Sequence, residues 1–148
     1  MLDVNIVGVF NCLQAALPDM KVAGRGQMIV IASTAGLKGY PYVAGYCAAK
    51  HGVVGLTRAL SVELAPLGIT VNAICPGFTE TPMLDRSIKN ISAMTGMSAE
   101  DAVKSLQRSN PQKRFIQVDE IAGTALWLCS ESARSVNGHT LNLNGGEL

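Results

Sequence analysis

The sequence predicts an α/β fold built on a parallel sheet, and three observations carry that prediction. A short apolar run over residues 28–32 leads through a glycine-punctuated loop into a helical pattern that Pro41 opens and that continues to about Ala65. A second apolar run over 69–74 follows, and a strand–helix–strand crossover of this length implies a right-handed parallel unit. A further helical stretch over 118–130 and a last strand over 140–143 repeat the alternation.

Taken in order, residues 2–17 place Leu2, Ile6, Val9, Phe10, Leu13 and Leu17 at helical spacing, and Pro18 is expected to end or kink that helix. Asn5 lies inside it, where a short amide is a mediocre helix former; on its own it reads as a surface or capping residue. Gly24 and Gly26 break the chain before the first strand. In the long helix, Val53, Val54, Leu56, Leu60 and Leu64 form the buried stripe, with Arg58 and Glu63 solvated. Pro66 and Gly68 end it.

From Met83 to Gln117 the pattern weakens, apart from a helix start at Ser98 and Asp101 with Ala102, Val103 and Leu106 on its apolar face. So long an excursion between core elements is expected to be a substrate lid over about 83–117. Met83, Met94 and Met97 either line a pocket there or pack the lid down. Lys113 and Arg114 either meet an anionic carrier or are simply solvated. The 118–130 helix is expected to bury Ile121, Ala125, Leu126 and Leu128, with Trp127 at a subunit contact or in the core.

At 148 residues the chain has single-domain length. A net charge of +1 with no basic or acidic block gives no reason to expect nucleic acid or an anionic membrane as partner. No apolar run reaches a membrane span and no cleavable signal pattern opens the chain, so a cytoplasmic location is expected. Cys12, Cys47, Cys75 and Cys129 are scattered, without a C-x-x-C pair or a His at ligand spacing. They read as small buried hydrophobes, with neither disulfides nor a metal expected. His51 and His139 have no partner in sequence that would make either a catalyst.

The chemistry gathers at Ser33, Tyr46 and Lys50. Tyr46 and Lys50 are four residues apart, which puts a phenol and an ammonium on one helix face. A phenol titrates near pH 10, and an adjacent cation favours its ionised form. Ser33, arriving from the end of a strand, can hold a carbonyl or alcohol oxygen against the same phenol. These groups suit proton transfer to or from an oxygen while something else moves a hydride. A Tyr-x-x-x-Lys pair alone is more often packing beside a solvated charge. The loop Pro76-Gly77-Phe78-Thr79-Glu80-Thr81-Pro82-Met83 follows the second strand, and ligands in open α/β sheets bind beyond the carboxyl ends of strands. Alone, it is equally an ordinary Pro-Gly turn.

Ser33, the run Tyr46-Cys47-Ala48-Ala49-Lys50-His51-Gly52, the Pro76–Met83 loop and the Asn144-Gly145-Gly146 close together resemble the short-chain dehydrogenase/reductase family. The resemblance implies that Ser33, Tyr46 and Lys50 are catalytic. It adds Asn5, in Asp3-Val4-Asn5 before Gly8, as a residue holding a water that links Lys50 to solvent. It assigns Tyr46, Lys50, Pro76, Gly77, Thr79 and Thr81 to contact with a nicotinamide cofactor, NAD or NADP. The implied activity interconverts a ketone and a secondary alcohol on a small-molecule or acyl-thioester substrate. Within the family the chain looks most similar to 3-oxoacyl thioester reductases, polyketide ketoreductases and 3-hydroxybutyrate dehydrogenases.

The resemblance further implies a doubly wound, Rossmann-like sheet in three layers, αβα. Residues 1–148 correspond to its C-terminal catalytic half: the last three strands with their helices. The Gly-rich phosphate cradle of such a sheet has no counterpart here. If these residues are the whole polypeptide, an apolar strand edge is left unpaired, and instability, self-association or pairing with a chain supplying the other half is expected. The family's usual homotetramer has the Asn5 and Tyr46 helices at one contact. The alternative is a truncated, non-catalytic member serving as an oligomerisation or regulatory fragment. Extended relatives such as epimerases and dehydratases share Tyr-x-x-x-Lys, but the Pro-Gly…Thr loop and Gly145-Gly146 argue against them.

Overall fold

The computed structural model describes all 148 residues, Met1–Leu148. A π turn, Asp3–Val7, runs into helix α1, Gly8–Ala23, which ends at Gly24. Strand β1, Gly26–Ile31, is followed by a 3₁₀ turn, Thr34–Gly36, and helix α2, Ala44–Leu64. Strand β2 is Ile69–Pro76; helices α3, Pro82–Thr95, and α4, Ala99–Gln107, come next. Helix α5, Val118–Leu128, and strand β3, Thr140–Leu143, complete the chain.

The sheet is parallel, in the order β1-β2-β3. Its register pairs Gly26 with Ile69 through Ile31 with Ile74, and Ala73 with Thr140 through Pro76 with Leu143. β2 is buried at every position but Thr70, the pattern of a central parallel strand covered on both faces. Val30, Ala32, Ala73 and Cys75 pack with Val53 and Val54 of α2, joined by Ile6, Val9 and Leu13 from the π turn and α1. Ile74 alternates to the opposite face and is fully buried, and α5 packs against the same two strands, giving the third layer. Asn72 is the one amide in this apolar strand: its Nδ2 donates to Val136 O at 2.8 Å and its Oδ1 accepts from His139 N at 3.0 Å, which steers the chain into β3. The outer edge of β1 has no strand beside it. No helix is long and apolar enough to cross a membrane.

Several expectations change. α2 begins at Ala44 rather than Pro41, because Tyr42 adopts φ 67°, a left-handed conformation no helix propagates. Pro18 does not end α1: it sits exposed, and the helix runs on past it to Ala23. The weak pattern after Met83 contains a full helix, α3, with Pro82 in its first turn, where the missing N–H costs nothing. This excursion is closed at its base by a bridge between Thr79 and Ile116. Met83, Met94 and Met97 are all exposed, Met94 at 86%, so they do not pin the segment down. Leu126 is exposed at 73% rather than buried, because α5 carries apolar residues on both sides and only one side meets the sheet. Cys47 and Cys75 are buried as expected, whereas Cys12 and Cys129 are exposed; all four are free.

Candidate active site

β1 delivers Ser33 beyond its carboxyl end in an extended conformation, φ −177° and ψ 161°. Its Oγ accepts the Ala35 N–H at 3.1 Å, which leaves the hydroxyl proton free to be donated elsewhere. The turn that follows lies directly on α2. A Cβ at Gly36 would meet both the Lys50 backbone and Val54 Cγ2, so only glycine lets the two segments close to this distance.

On α2, Tyr46 is half-buried in the first turn and Lys50 follows one turn later, 8% exposed. Lys50 Nζ donates to Ile31 O at 2.9 Å and stands 5.6 Å from the centroid of the Tyr46 ring. Burial pulls the Lys50 ammonium below the usual lysine range, with Cys75 partly opposing the shift. No carboxylate pairs with it. The Cys75 thiol at the end of β2 is pushed up by burial, against the Ser33 N–H, Arg58 and Lys50. The end of β1, the end of β2 and the first turns of α2 therefore converge on Ser33 and Lys50.

The π turn carrying Asn5 packs on α2, where Ile6 occupies the space a Cβ on Gly52 would need. The Asn5 amide itself donates to Met1 O at 3.1 Å. In the loop after β2, Gly77 N donates to Leu143 O at 2.9 Å. Thr79 Oγ1 donates to Gly77 O at 3.0 Å and Thr81 Oγ1 to Thr79 O at 3.3 Å. Both threonine protons are thus used within the loop, leaving their oxygens as acceptors. No group of three His, Cys, Asp or Glu gathers as metal ligands would.

A family model described as Enoyl-(Acyl carrier protein) reductase matches residues 1–147. The D-beta-hydroxybutyrate dehydrogenase of Rhizobium meliloti (strain 1021) is 36% identical over 147 residues, 99% of this chain and 57% of that protein. The chain belongs to the short-chain dehydrogenase/reductase family. The 3-oxoacyl-(acyl-carrier-protein) reductase FabG of Staphylococcus epidermidis is 38% identical over 146 residues, 99% of this chain and 55% of its own length. A solved structure of an actinorhodin polyketide ketoreductase variant with NADPH superposes with a TM-score of 0.92 at 40% identity, covering 97% of this chain and 56% of that one. The chain thus spans a little over half the length of the relatives it matches.

Sequence reasoning missed one part of this short-chain dehydrogenase/reductase chain: a part-buried polar cluster of Thr34, Lys38, Tyr40 and Glu147 beside Ser33. Burial, with Glu147 adding to it, pushes the Tyr40 phenol well up, the Thr34 hydrogen bond opposing, so Tyr40 stays protonated. Tyr40 and Glu147 are 107 residues apart, so no local pattern relates them. Arg114, read as carrier-binding or solvated, instead forms a two-pronged pair with Glu120 at 2.6 and 2.8 Å. An open apolar groove of about 410 Å³ lies between the π turn and α2, lined by Ile6, Val7, Phe10, Gly52 and Leu56. It contains none of Ser33, Tyr46 or Lys50.

Proposed function

We propose that this chain is the catalytic half of an NAD(P)-dependent oxidoreductase that interconverts a ketone and a secondary alcohol on a 3-oxoacyl/3-hydroxyacyl-type substrate. The observation that carries the reading is the Lys50 ammonium, buried, without a carboxylate and 5.6 Å from the Tyr46 ring. Of its three N–H groups one goes to Ile31 O. The others are available to a ribose diol and to a phenolate, and a cation so placed favours the ionised phenol. The substrate class follows the relatives, among them a 3-hydroxybutyrate dehydrogenase, a 3-oxoacyl reductase and a polyketide ketoreductase.

The residues fit the nicotinamide end of the cofactor. Thr79 and Thr81 offer acceptor oxygens, which suit the carboxamide N–H₂ and not a phosphate. Pro76 and Gly77 form the loop floor beside them. A bound nicotinamide would supply hydride to the carbonyl carbon, or accept it in the reverse direction. In reduction Tyr46 gives its proton to the ketone oxygen, while the free Ser33 hydroxyl proton holds that oxygen in place. Lys50 stabilises the resulting phenolate, which is reprotonated from solvent along a water held near Asn5. The contact between copies in a homo-oligomer uses the π turn, α1 and α2, where Val7 and Phe10 are exposed beside the apolar groove.

A second reading, a non-catalytic fragment that accompanies a partner chain, is favoured by the open edge of β1 and by Val4, 74% exposed. The test is cofactor oxidation with a 3-oxoacyl thioester, comparing the chain with Tyr46→Phe. A rate that Tyr46→Phe abolishes supports the enzyme; no rate in the parent supports the fragment.

A further inference from the structure

One polar cluster beside the Ser33–Tyr46–Lys50 group is part-buried and has no assigned task. The Glu147 side chain is only 3% exposed, an uncommon place for a carboxylate. Its Oε1 accepts from Tyr40 Oη at 2.7 Å and pairs with Lys38 Nζ at 2.6 Å. Tyr40 has one hydroxyl proton, and it goes to Glu147. The 2.8 Å contact between Tyr40 Oη and Thr34 Oγ1 therefore has Thr34 as donor. Thr34 is 3% exposed and directly follows Ser33. The Tyr40 ring also meets Phe78 edge-on, centroids 6.3 Å apart, and Phe78 belongs to the loop beyond β2. The tail is held in turn by Asn144, whose Oδ1 accepts the N–H groups of Gly146 at 3.0 Å and Glu147 at 3.2 Å. Three segments remote in sequence meet at one phenol.

We infer that Tyr40 and Glu147 are positioning residues, a phenol–carboxylate latch by which the tail of the chain ties the Ser33 turn to the Gly77–Phe78 loop. The latch sets where the Ser33 hydroxyl stands relative to Tyr46, and in that respect it rests on the catalytic reading above. The hydrogen bonds run one way: Thr34 donates to Tyr40, and Tyr40 donates to Glu147. A one-way chain ending on a buried carboxylate holds a single arrangement, because reversing any member would leave that carboxylate facing a lone pair. Lys38 is a third exposed, so its ion pair with Glu147 is screened by solvent and adds less than the phenol's hydrogen bond.

Hydrogen exchange on the full chain tests the latch without requiring turnover. The amides to follow are Gly36, Leu37 and Lys38 in the Ser33 turn, with Gly77 and Glu80 in the loop beyond β2, all hydrogen-bonded to backbone carbonyls. Tyr40→Phe keeps the ring on Phe78 and removes only the donor; Glu147→Ala removes the acceptor; Glu147→Gln keeps an acceptor of the same length. Tyr40→Phe and Glu147→Ala are each expected to speed exchange of both amide sets by roughly fivefold to tenfold, the scale of one buried hydrogen bond. Glu147→Gln and the α2 amides should match the parent. Unchanged exchange at Gly77 and Glu80 in Tyr40→Phe, or equal behaviour of the Ala and Gln variants at Glu147, would overturn the latch. The kinetic arm expects kcat to fall in Tyr40→Phe with KM for the ketone unchanged, and to be restored toward the parent in Glu147→Gln. A parent that reduces no ketone ends the catalytic reading alone; the exchange comparison still decides the latch.

Discussion

Gly36 faces the main chain of Lys50 so closely that a Cβ on it would stand 2.7 Å from the Lys50 carbonyl oxygen and 3.0 Å from its carbonyl carbon. Backbone cannot yield there as a flexible side chain would. Gly36→Ala should therefore push the Ser33 turn off α2 and destabilise the chain by about 1–3 kcal/mol, the usual range for overpacking. Urea unfolding measures it, and a midpoint equal to the parent's would mean the two segments are not in this contact.

Tyr46→Phe removes a hydroxyl that makes no hydrogen bond within the protein, so the unfolding midpoint should hardly move. If Tyr46 is the acid and base, ketone reduction should fall by roughly 10²–10⁴-fold, the contribution of a positioned proton donor. Steady-state rates on the variant check both halves. A variant that retains most of the parent's rate would assign the proton to another group.

Lys50 carries a pH signature. Burial holds its pKa below the ordinary lysine value of 10.5. Between its folded pKa and 10.5 the unfolded chain binds a proton that the folded chain has released, so stability rises with pH across that window. Below the window the buried charge opposes folding. Lys50→Met should abolish this rise and leave the midpoint at neutral pH equal to or above the parent's, while ketone reduction is lost. Denaturant midpoints of both chains from neutral to about pH 10 give the comparison.

The Arg114–Glu120 pair predicts a slope of the same sign at acid pH. The Arg114 guanidinium, with the Gln117 N–H, holds the Glu120 carboxyl at about 2 instead of 4.5. A depressed carboxyl stabilises the fold fully above 4.5, and that contribution is lost as pH falls through about 2. Glu120→Gln should be less stable than the parent above 4.5, with the gap closing toward about 2. Both side chains are more than a third exposed, so solvent screens the pair and the effect is small. A gap that stays constant with pH would show that the pair contributes nothing through its charge.

How much of this was legible in the sequence depended on distance along the chain. β2 reads as a strand because its run is short and mostly apolar, with Ile69, Val71, Ala73 and Cys75 on one face and Ile74 on the other, as a strand covered on both faces requires. Tyr46 and Lys50 are one turn apart, and Ser33 follows a strand, so periodicity brings them into view together. The start of α2 was hidden because it is set by the backbone of Tyr42, which Pro41 does not reveal. In α5 periodicity could not tell which apolar side the sheet covers, so Leu126 was misplaced. The Tyr40–Glu147 bond joins residues that only the tertiary fold makes neighbours.

The π turn over Asp3–Val7 winds a wider loop of backbone than the α-helix it feeds. Deleting a single residue there would restore ordinary winding and leave the bearings on either side nearly unchanged, because five residues of π winding turn through about the same angle as four α-helical ones. Only the positions inside the turn, Asn5 and Ile6 among them, would be reassigned. When homologous chains are aligned, a gap of one in this stretch thus signals a local change that leaves the packing of α1 on α2 in place.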